Sequence, residues 1–453
     1  MSTRPGFSIA PSCALEFGPG SVSRLPALVD GLGAESAFVV TDAGLRGTGI
    51  VDRVLGGLTA GGLRTAVFDG IGPNPSTTAV EAGAAALREF GPCVVIGLGG
   101  GSVLDAAKGI ALLATHPAAR ATDPLWDSAV DGLPLVAVPT TAGTGAETNG
   151  FGVVEDTCAR RKIYLGHPSV RPRVAVLDPE LTLGLPAAIT AATGFDALVH
   201  GVESLASRGA NPVSDAAAAQ AVALVGRWLP VAVEDGGDLE ARSQLLLGAH
   251  LAGQALTVSG LGLVHGIAHA VTAHLGTPHG VALAAVSEQV MRYSADVAAG
   301  PYERVRLALG GGAGPADPGR PGTGPGRPGG SGPGPTGSAR PGDPAAAPAG
   351  DQAPALPPAL PPAPAPPPAP ALPPAPAPAP ETAAVAVAAP ASAIDSVTAL
   401  ACGIGLRRPL RELGATRDLL PVLAAAAVAD PVTANAPRRP TEADVRDILA
   451  AAW

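Results

Sequence analysis

Four short runs of consecutive apolar residues punctuate the first third of the chain: SAFVVTD (36–42), RTAVFDG (64–70), PCVVIGLG (92–99) and PLVAVPT (134–140). Each is rich in Val, Ile, Leu or Phe and bounded by Gly, Pro, Asp or Ser, the pattern of a strand buried on both faces. Between them lie alanine- and leucine-rich stretches with helical spacing, such as STTAVEAGAAALREFG. Strands alternating with helices predict a parallel sheet covered on both sides. From about residue 186 to 310 the strand pattern stops and helical spacing of Ala and Leu takes over, predicting a second, all-helical domain.

The pattern then fails altogether. Residues 310–390 read as Gly/Pro/Ala repeats (PGRPGTGPGRPGGSGPG, then PPALPPAPAPPPAPALPPAPAPAP). Proline removes backbone donors and glycine raises chain entropy, so such a stretch cannot build a packed core. It is expected to be a disordered insertion, flexible in its first half and polyproline II in its second. An inert surface insertion and a ligand for an SH3-like partner are both consistent with it. Helical patterning resumes at IDSVTALACGIGLRRPLRELG and ends in TEADVRDILAAAW. The expected organisation is therefore an α/β domain over 1–185 and a helical domain over 186–309 and 391–453, interrupted by 310–390.

Composition narrows the function classes. The 453 residues carry a net charge of −9, which argues against nucleic-acid or anionic-membrane surfaces. The N-terminus lacks a charged segment followed by an apolar one, and no apolar run reads as a membrane span, so a soluble, cytoplasmic protein is expected. Cys13, Cys93, Cys158 and Cys402 form no CxxC pair, which suggests neither a thiolate zinc site nor a disulfide framework. Among 29 Lys and Arg residues, lysine occurs only at Lys108 and Lys162. A site that needs a compact ammonium resists replacement by arginine, so both are candidates for specific roles.

Two loops carry nucleotide chemistry. Gly97 to Asp105 (GLGGGSVLD) follows a strand and opens a helix, where glycines let the backbone approach a pyrophosphate and unpaired N–H groups attract its charge. A plain tight turn uses the same glycines; the strand–turn–helix context favours the nucleotide. Ser102 is placed to cap that helix, and Lys108 to anchor it rather than touch ligand. A second loop, PTTAGTGAE (139–147), offers hydroxyls and glycines at the end of another strand. Asp42 ends the first strand, where it would accept from a ribose diol and favour NAD over NADP; it reads equally well as a helix N-cap.

The metal chemistry lies further on. Asp196 and His200 in GFDALVHGVE are spaced i, i+4, as are His265 and His269 in GLGLVHGIAHAVTAHLGTPHG, and His279 follows Pro278 where a helix must stop or bend. Singly, each histidine reads as an ordinary core or surface residue. As a set with one carboxylate, in a chain of eight histidines, they make a shell suited to a divalent transition metal.

These motifs together resemble the iron-containing (group III) alcohol dehydrogenase family. LDPELTLGLPAAITAATGFDALVHGVE (177–203) fits its first signature and GLGLVHGIAHAVTAHLGTPHG (260–280) its second, and the likeness covers nearly all of the chain outside 310–390. The resemblance implies an NAD-binding α/β domain followed by an all-α metal-binding domain, the dehydroquinate synthase-like fold, with the active site in the cleft. It implies Asp196, His200, His265 and His279 as ligands of Fe(II), with zinc or manganese as substitutes, and His269 as a substrate or proton-relay residue. Gly99, Gly100, Gly101 and Ser102 would hold the pyrophosphate. Thr140, Thr141 and Thr144 would line the cofactor, and Asp42 and Lys162 would contact it. Asn149 and Phe151 would face the substrate. The expected activity is reversible hydride transfer between NAD(H) and an alcohol/aldehyde or ketone pair. The expected partners are that small molecule and a second copy of the chain, with no nucleic acid and no membrane.

Two narrower or rival activities stay open at this point: a maleylacetate reductase-like reaction, and a lyase reaction on the related dehydroquinate synthase-like scaffold. The lyase needs basic residues in the helical domain to grip a phosphate, where arginines such as Arg208 and Arg292 occur but no lysine. A non-catalytic scaffold using the proline-rich segment has no need for the full ligand set.

Overall fold

The computed structural model describes Phe7, Ile9 and residues 13–159, 161–310 and 392–453. Of the expected insertion, 310–390, all but Gly310 lies outside the described residues.

Six strands form a parallel sheet: β1 (Ala14–Phe17), β2 (Ser36–Val40), β3 (Arg64–Phe68), β4 (Val94–Gly99), β5 (Leu135–Pro139) and, after a hairpin, β8 (Val174–Leu177). The hairpin pairs β6 (Phe151–Asp156) with β7 (Arg161–Gly166) in antiparallel register. Helices α1 (Leu25–Gly31), α2 (Ala43–Arg46), α3 (Ile50–Ala60), α4 (Thr77–Phe90) and α5 (Gly101–Ala114) connect the strands. Strand alternation explains the double-sided burial. Val95, Ala137, Phe38 and Val40 pack into one core with Leu87 and Ile110, from α4 and α5. Their neighbours Ile96, Leu98, Val136 and Val39 pack into another with Val29 and Leu58, from α1 and α3. A strand with a core on each face must be apolar at nearly every position, which is what made β2, β4 and β5 readable.

The order β1-β8-β5-β4-β2-β3 places the ligand crevice. From β2 the chain steps outward to β3, then returns to the other side of β2 for β4. Adjacent strands whose connections leave in opposite directions open a gap at their carboxyl ends. Gly99 and Asp42 both stand there, at the ends of β4 and β2.

The helical part comprises α6 (Ala187–Ala206), α7 (Pro212–Glu234), α8 (Leu239–Ser259), α9 (Leu263–Leu275), α10 (His279–Ser294), α11 (Ala299–Gly310), α12 (Ala393–Gly403), α13 (Leu420–Ala429) and α14 (Glu442–Ala452). One continuous core joins them, running from Phe195 and Leu198 through Val222, Leu245 and Ile267 to Leu423 and Leu449. The chain after residue 391 thus returns to the same body, as the resumed helical pattern predicts. Its helices start with strong local signals: capping boxes at Ser392/Asp395 and Thr441/Asp444. Contrary to the sequence expectation, one helix among the described residues, α7, is long and apolar enough to cross a membrane. Its Ala218, Val222, Val225 and Leu229 are buried within the helical core.

The α/β and helical parts are stitched beside the second loop. The buried Glu147 pairs with the buried His250 of α8 at 2.9 Å, and Thr148 meets Thr257 at 3.0 Å. This seam fixes the threonine loop against α8.

Candidate active site

Helix α6 is buried around nearly its whole circumference and displays Asp196, His200 and Glu203 at i, i+4 and i+7, one stripe of one face. Helix α9 brings His265 and His269 across from it, and α10 begins at His279, with Pro278 as its N-cap. The stripe meets the other helices at one atom. Asp196 Oδ1 stands 3.2 Å from His200 Nε2, 3.2 Å from His265 Nε2 and 3.7 Å from His279 Nε2. Ligand atoms of Asp196, His265 and His279 all lie within 4.8 Å of one another, close enough to share one ion. His200 stands beside that trio, its ring stacked on His265 with centroids 4.7 Å apart.

The electrostatics suit a cation. Burial and neighbouring imidazoles push His279 down to about 3 and His200 down to about 4, so both stay neutral and keep a lone pair. Burial alone would raise Asp196, yet its imidazole neighbours hold the carboxyl well below the usual range, so it stays anionic. Burial also opposes charge on His265, but hydrogen bonds to Asp196 and Glu203 outweigh it and push this imidazole up to about 9. Neutral imidazoles at His200 and His279, with His265 giving up its proton when a cation binds, converge on a buried carboxylate and are a fitting donor set for a divalent metal.

Glu203 was part of the quoted signature but received no role from the sequence. Its carboxylate accepts His265 Nδ1–H at 2.6 Å and the backbone N–H groups of Gly262 and Val264 at 3.1 and 2.6 Å. It thereby orients His265 and satisfies the start of α9, whose own N-cap, Gly262, has no side chain to do so. The i+7 spacing from Asp196 was the available signal. Glu203→Gln is expected to lower metal affinity by about 10- to 100-fold with the fold retained, measured by metal competition against a chromophoric chelator; unchanged affinity would remove Glu203 from the site.

The metal group shares a cavity of about 410 Å³ with the nucleotide elements. Gly101, Ser102, Thr144 and Lys162 line it together with Asp196, His200, His265, His269 and His279. Gly99, Gly100, Thr140 and Thr141 sit in the two turns behind that wall, where Thr140 N–H donates to the Gly99 carbonyl at 3.0 Å. A Cβ on Gly101 would lie 2.5 Å from Thr144 Cγ2, so the two loops touch only because residue 101 is glycine. The N-cap of α5 is Gly100 and no side chain caps it, contrary to the role expected for Ser102. The uncapped N–H groups at this helix start are a fitting cradle for a phosphate.

Asp42, at the crevice mouth, is not among the residues that line the cavity. Its Oδ1 accepts Leu45 N–H at 2.8 Å as the N-cap of α2, the alternative the sequence had left equal. Lys108 is fully buried and donates to Asp105, Asn149 and the Phe151 carbonyl at 3.2, 2.9 and 2.6 Å, a structural anchor. It holds in place Asn149 and Phe151, both of which line the cavity as expected. Lys162 lines it too, tied at 2.8 Å to Asn74, a non-glycine residue with φ of 54°. Sequence reasoning also missed Asp430, which meets His269 Nδ1 at 2.8 Å and carries no local motif.

A sheet crevice suited to a nucleotide, opening onto a helical carboxylate–histidine cluster, is the arrangement of a metal- and nucleotide-dependent enzyme. Comparison with known proteins agrees. The iron-containing alcohol dehydrogenase pattern matches residues 13–179, and that of the Fe-containing alcohol dehydrogenase family, C-terminal, matches 190–319 and 382–453. The chain belongs to the iron-containing alcohol dehydrogenase family. It is 40% identical to the probable alcohol dehydrogenase EutG of Escherichia coli K12, over 64% of this chain and 74% of that protein. It is 38% identical to the NAD-dependent methanol dehydrogenase of Bacillus methanolicus, over 58% and 69% respectively. Among solved structures, a 1,3-propanediol oxidoreductase superposes with a TM-score of 0.77 at 30% identity, covering 99% of this chain and all of that one.

Proposed function

We propose that the chain interconverts a small primary alcohol and its aldehyde, with NAD(H) as redox partner and Fe(II) as the metal, zinc or manganese being able to substitute. The reading rests on one observation: the carboxylate–histidine cluster and the two glycine/threonine turns share a single cavity. Asp196, His200, His265 and His279 would hold the metal; Gly99, Gly100, Gly101, Ser102, Thr140, Thr141 and Thr144 would hold the dinucleotide, with Lys162 beside it. When bound, a divalent metal supplies a Lewis acid for a carbonyl or alkoxide oxygen, and NAD(H) supplies or accepts the hydride. The protein does the rest. Asp196 and Glu203 fix the imidazoles, Phe151, Leu256, Leu261 and Val432 give the cavity apolar walls that exclude water, and His269 moves the proton.

The cavity also bears on the rival activities. Lys162 is the one Lys or Arg among its described lining residues. A phosphorylated lyase substrate or a dicarboxylate such as maleylacetate would need more cationic grip than that. The names of the relatives, which include a methanol dehydrogenase and a propanediol oxidoreductase, point the same way, toward short uncharged alcohols. An anaerobic NADH-oxidation screen over aldehydes, ketones and maleylacetate, on protein of measured metal content, tests the proposal. Short aldehydes are expected to oxidise NADH with one alcohol formed per NADH. Metal-replete protein that consumes no NADH with any carbonyl would refute it.

A further inference from the structure

One nitrogen of His269, a residue that lines the cavity, is occupied. Its Nδ1 lies 2.8 Å from Asp430 Oδ2, while Nε2 has no hydrogen-bond partner among the described residues. The ring lines the cavity and stacks on His279, with centroids 5.3 Å apart. Asp430 is not a loose surface carboxylate. Its other oxygen accepts Val432 N–H at 3.0 Å as the N-cap of the 3-10 turn Pro431–Asn435. That turn is held from three sides. Thr433 Oγ1 donates to the Ala427 carbonyl at 2.6 Å, and Asn435 Nδ2 donates to the carbonyls of Ser259 and Leu261 at 2.8 and 2.9 Å. Thr433 also packs where a Cβ on Gly266 would sit, one helical turn before His269. The carboxylate is thus placed by the fold, independently of the imidazole it meets.

We propose that Asp430 is a positioning residue that sets the tautomer and orientation of His269. A carboxylate accepts only, so the bonded nitrogen must carry its proton as Nδ1–H, and Nε2 presents its lone pair to the cavity. In the oxidation direction, with NAD⁺ as the hydride acceptor of the proposed reaction, the hydroxyl proton of the alcohol goes to Nε2; the resulting imidazolium keeps Nδ1–H on Asp430. Reduction returns that proton to the new hydroxyl. The arrangement follows the physical logic by which a buried carboxylate steers a catalytic imidazole elsewhere. The inference rests on the proposed role of His269 and deepens it.

Asp430→Asn is the sharp test. The asparagine oxygen can keep the Val432 N–H bond, which turns the amide NH₂ toward His269; Nδ1 must then accept, and the proton moves to Nε2. Expected is a fall in kcat of about 10- to 100-fold, with bound metal per chain, NADH affinity and the KM for aldehyde unchanged. In zinc-loaded, ¹⁵N-histidine-labelled protein the His269 resonances should switch from the Nδ1–H to the Nε2–H pattern. Asp430→Ser, which keeps the cap and removes the carboxylate, should lower kcat in the same way. Wild-type turnover in Asp430→Asn, or metal and NADH binding lost together with kcat in both variants, overturns the inference. His269→Asn separates the two layers. Full turnover there defeats the role of His269 itself, whereas impaired turnover there with normal Asp430→Asn defeats only the role of Asp430.

Discussion

Asp196→Ala is expected to yield a folded protein that retains no metal and turns over at least about 10³-fold more slowly, since the metal's stabilisation of the reacting oxygen is worth several kcal/mol. Asp196 Oδ1 lies within 3.7 Å of all three imidazole nitrogens. Without it, His200, His265 and His279 face one another with no carboxylate at their centre, and a cation loses the charge that offsets its desolvation there. NADH affinity should be unaffected, because Gly101, Ser102 and Thr144 reach the cavity from the α/β part. Elemental analysis of purified protein, NADH fluorescence titration and turnover check the three parts separately. Chelator-treated wild-type protein should match the variant, and metal at wild-type stoichiometry in Asp196→Ala would end the assignment.

The second large effect arises from a residue with no functional group. Gly280, the residue after His279, packs directly on α6. A Cβ there would overlap the Ala192 carbonyl oxygen and lie 2.6 and 2.8 Å from Ala192 C and Cα. These are backbone atoms of a buried helix and cannot swing aside. Gly280→Ala must separate α10 from α6, at an expected cost of about 2–3 kcal/mol, toward the upper end for overpacking. The same displacement carries His279 away from Asp196, four residues along α6 from Ala192. The variant should lose thermal stability and metal affinity together, while Gly300→Ala, where a Cβ meets nothing within 4 Å, should lose neither. Calorimetry and metal competition on both variants decide it. A stable Gly280→Ala protein with weakened metal binding would show that strain is relieved locally; a stable one with full affinity would contradict the packing described here.

The legible parts of the fold share one property. Strands β2, β4 and β5 announce themselves because a core on each face leaves one polar position among them, Ser36 at the start of β2, whose hydroxyl donates to the Pro92 carbonyl. β1 is a four-residue edge strand, mostly exposed, and has no such signature. β8 is equally short. The β6–β7 hairpin carries charged residues at Glu155, Asp156, Arg161 and Lys162, which break the apolar run that marks the buried strands. In the site, Asp196 and His200 were visible through helical spacing, and so were His265 and His269. Ser102 was misassigned as a cap because hydroxyl identity alone does not say which residue precedes the first helical turn, which here is Gly100. Asp42 could not be decided from sequence, since a strand-end carboxylate serves a ribose or a helix start with the same local pattern.

Within a single helix or turn, the chain by itself set which residues share a face, because 3.6 residues per turn and alternating strand side chains are properties of the backbone. That was enough to propose the metal set and the nucleotide turns and to identify the family. The pairings that give those residues their chemistry span the chain: His265 with Glu203 across 62 positions, Glu147 with His250 across 103, and His269 with Asp430 across 161. No local rule relates such positions. Only the packing of α6, α9, α10 and the turn after α13 brings them together, because burying the apolar core fixes where each helix lies and so which polar groups must satisfy one another inside it.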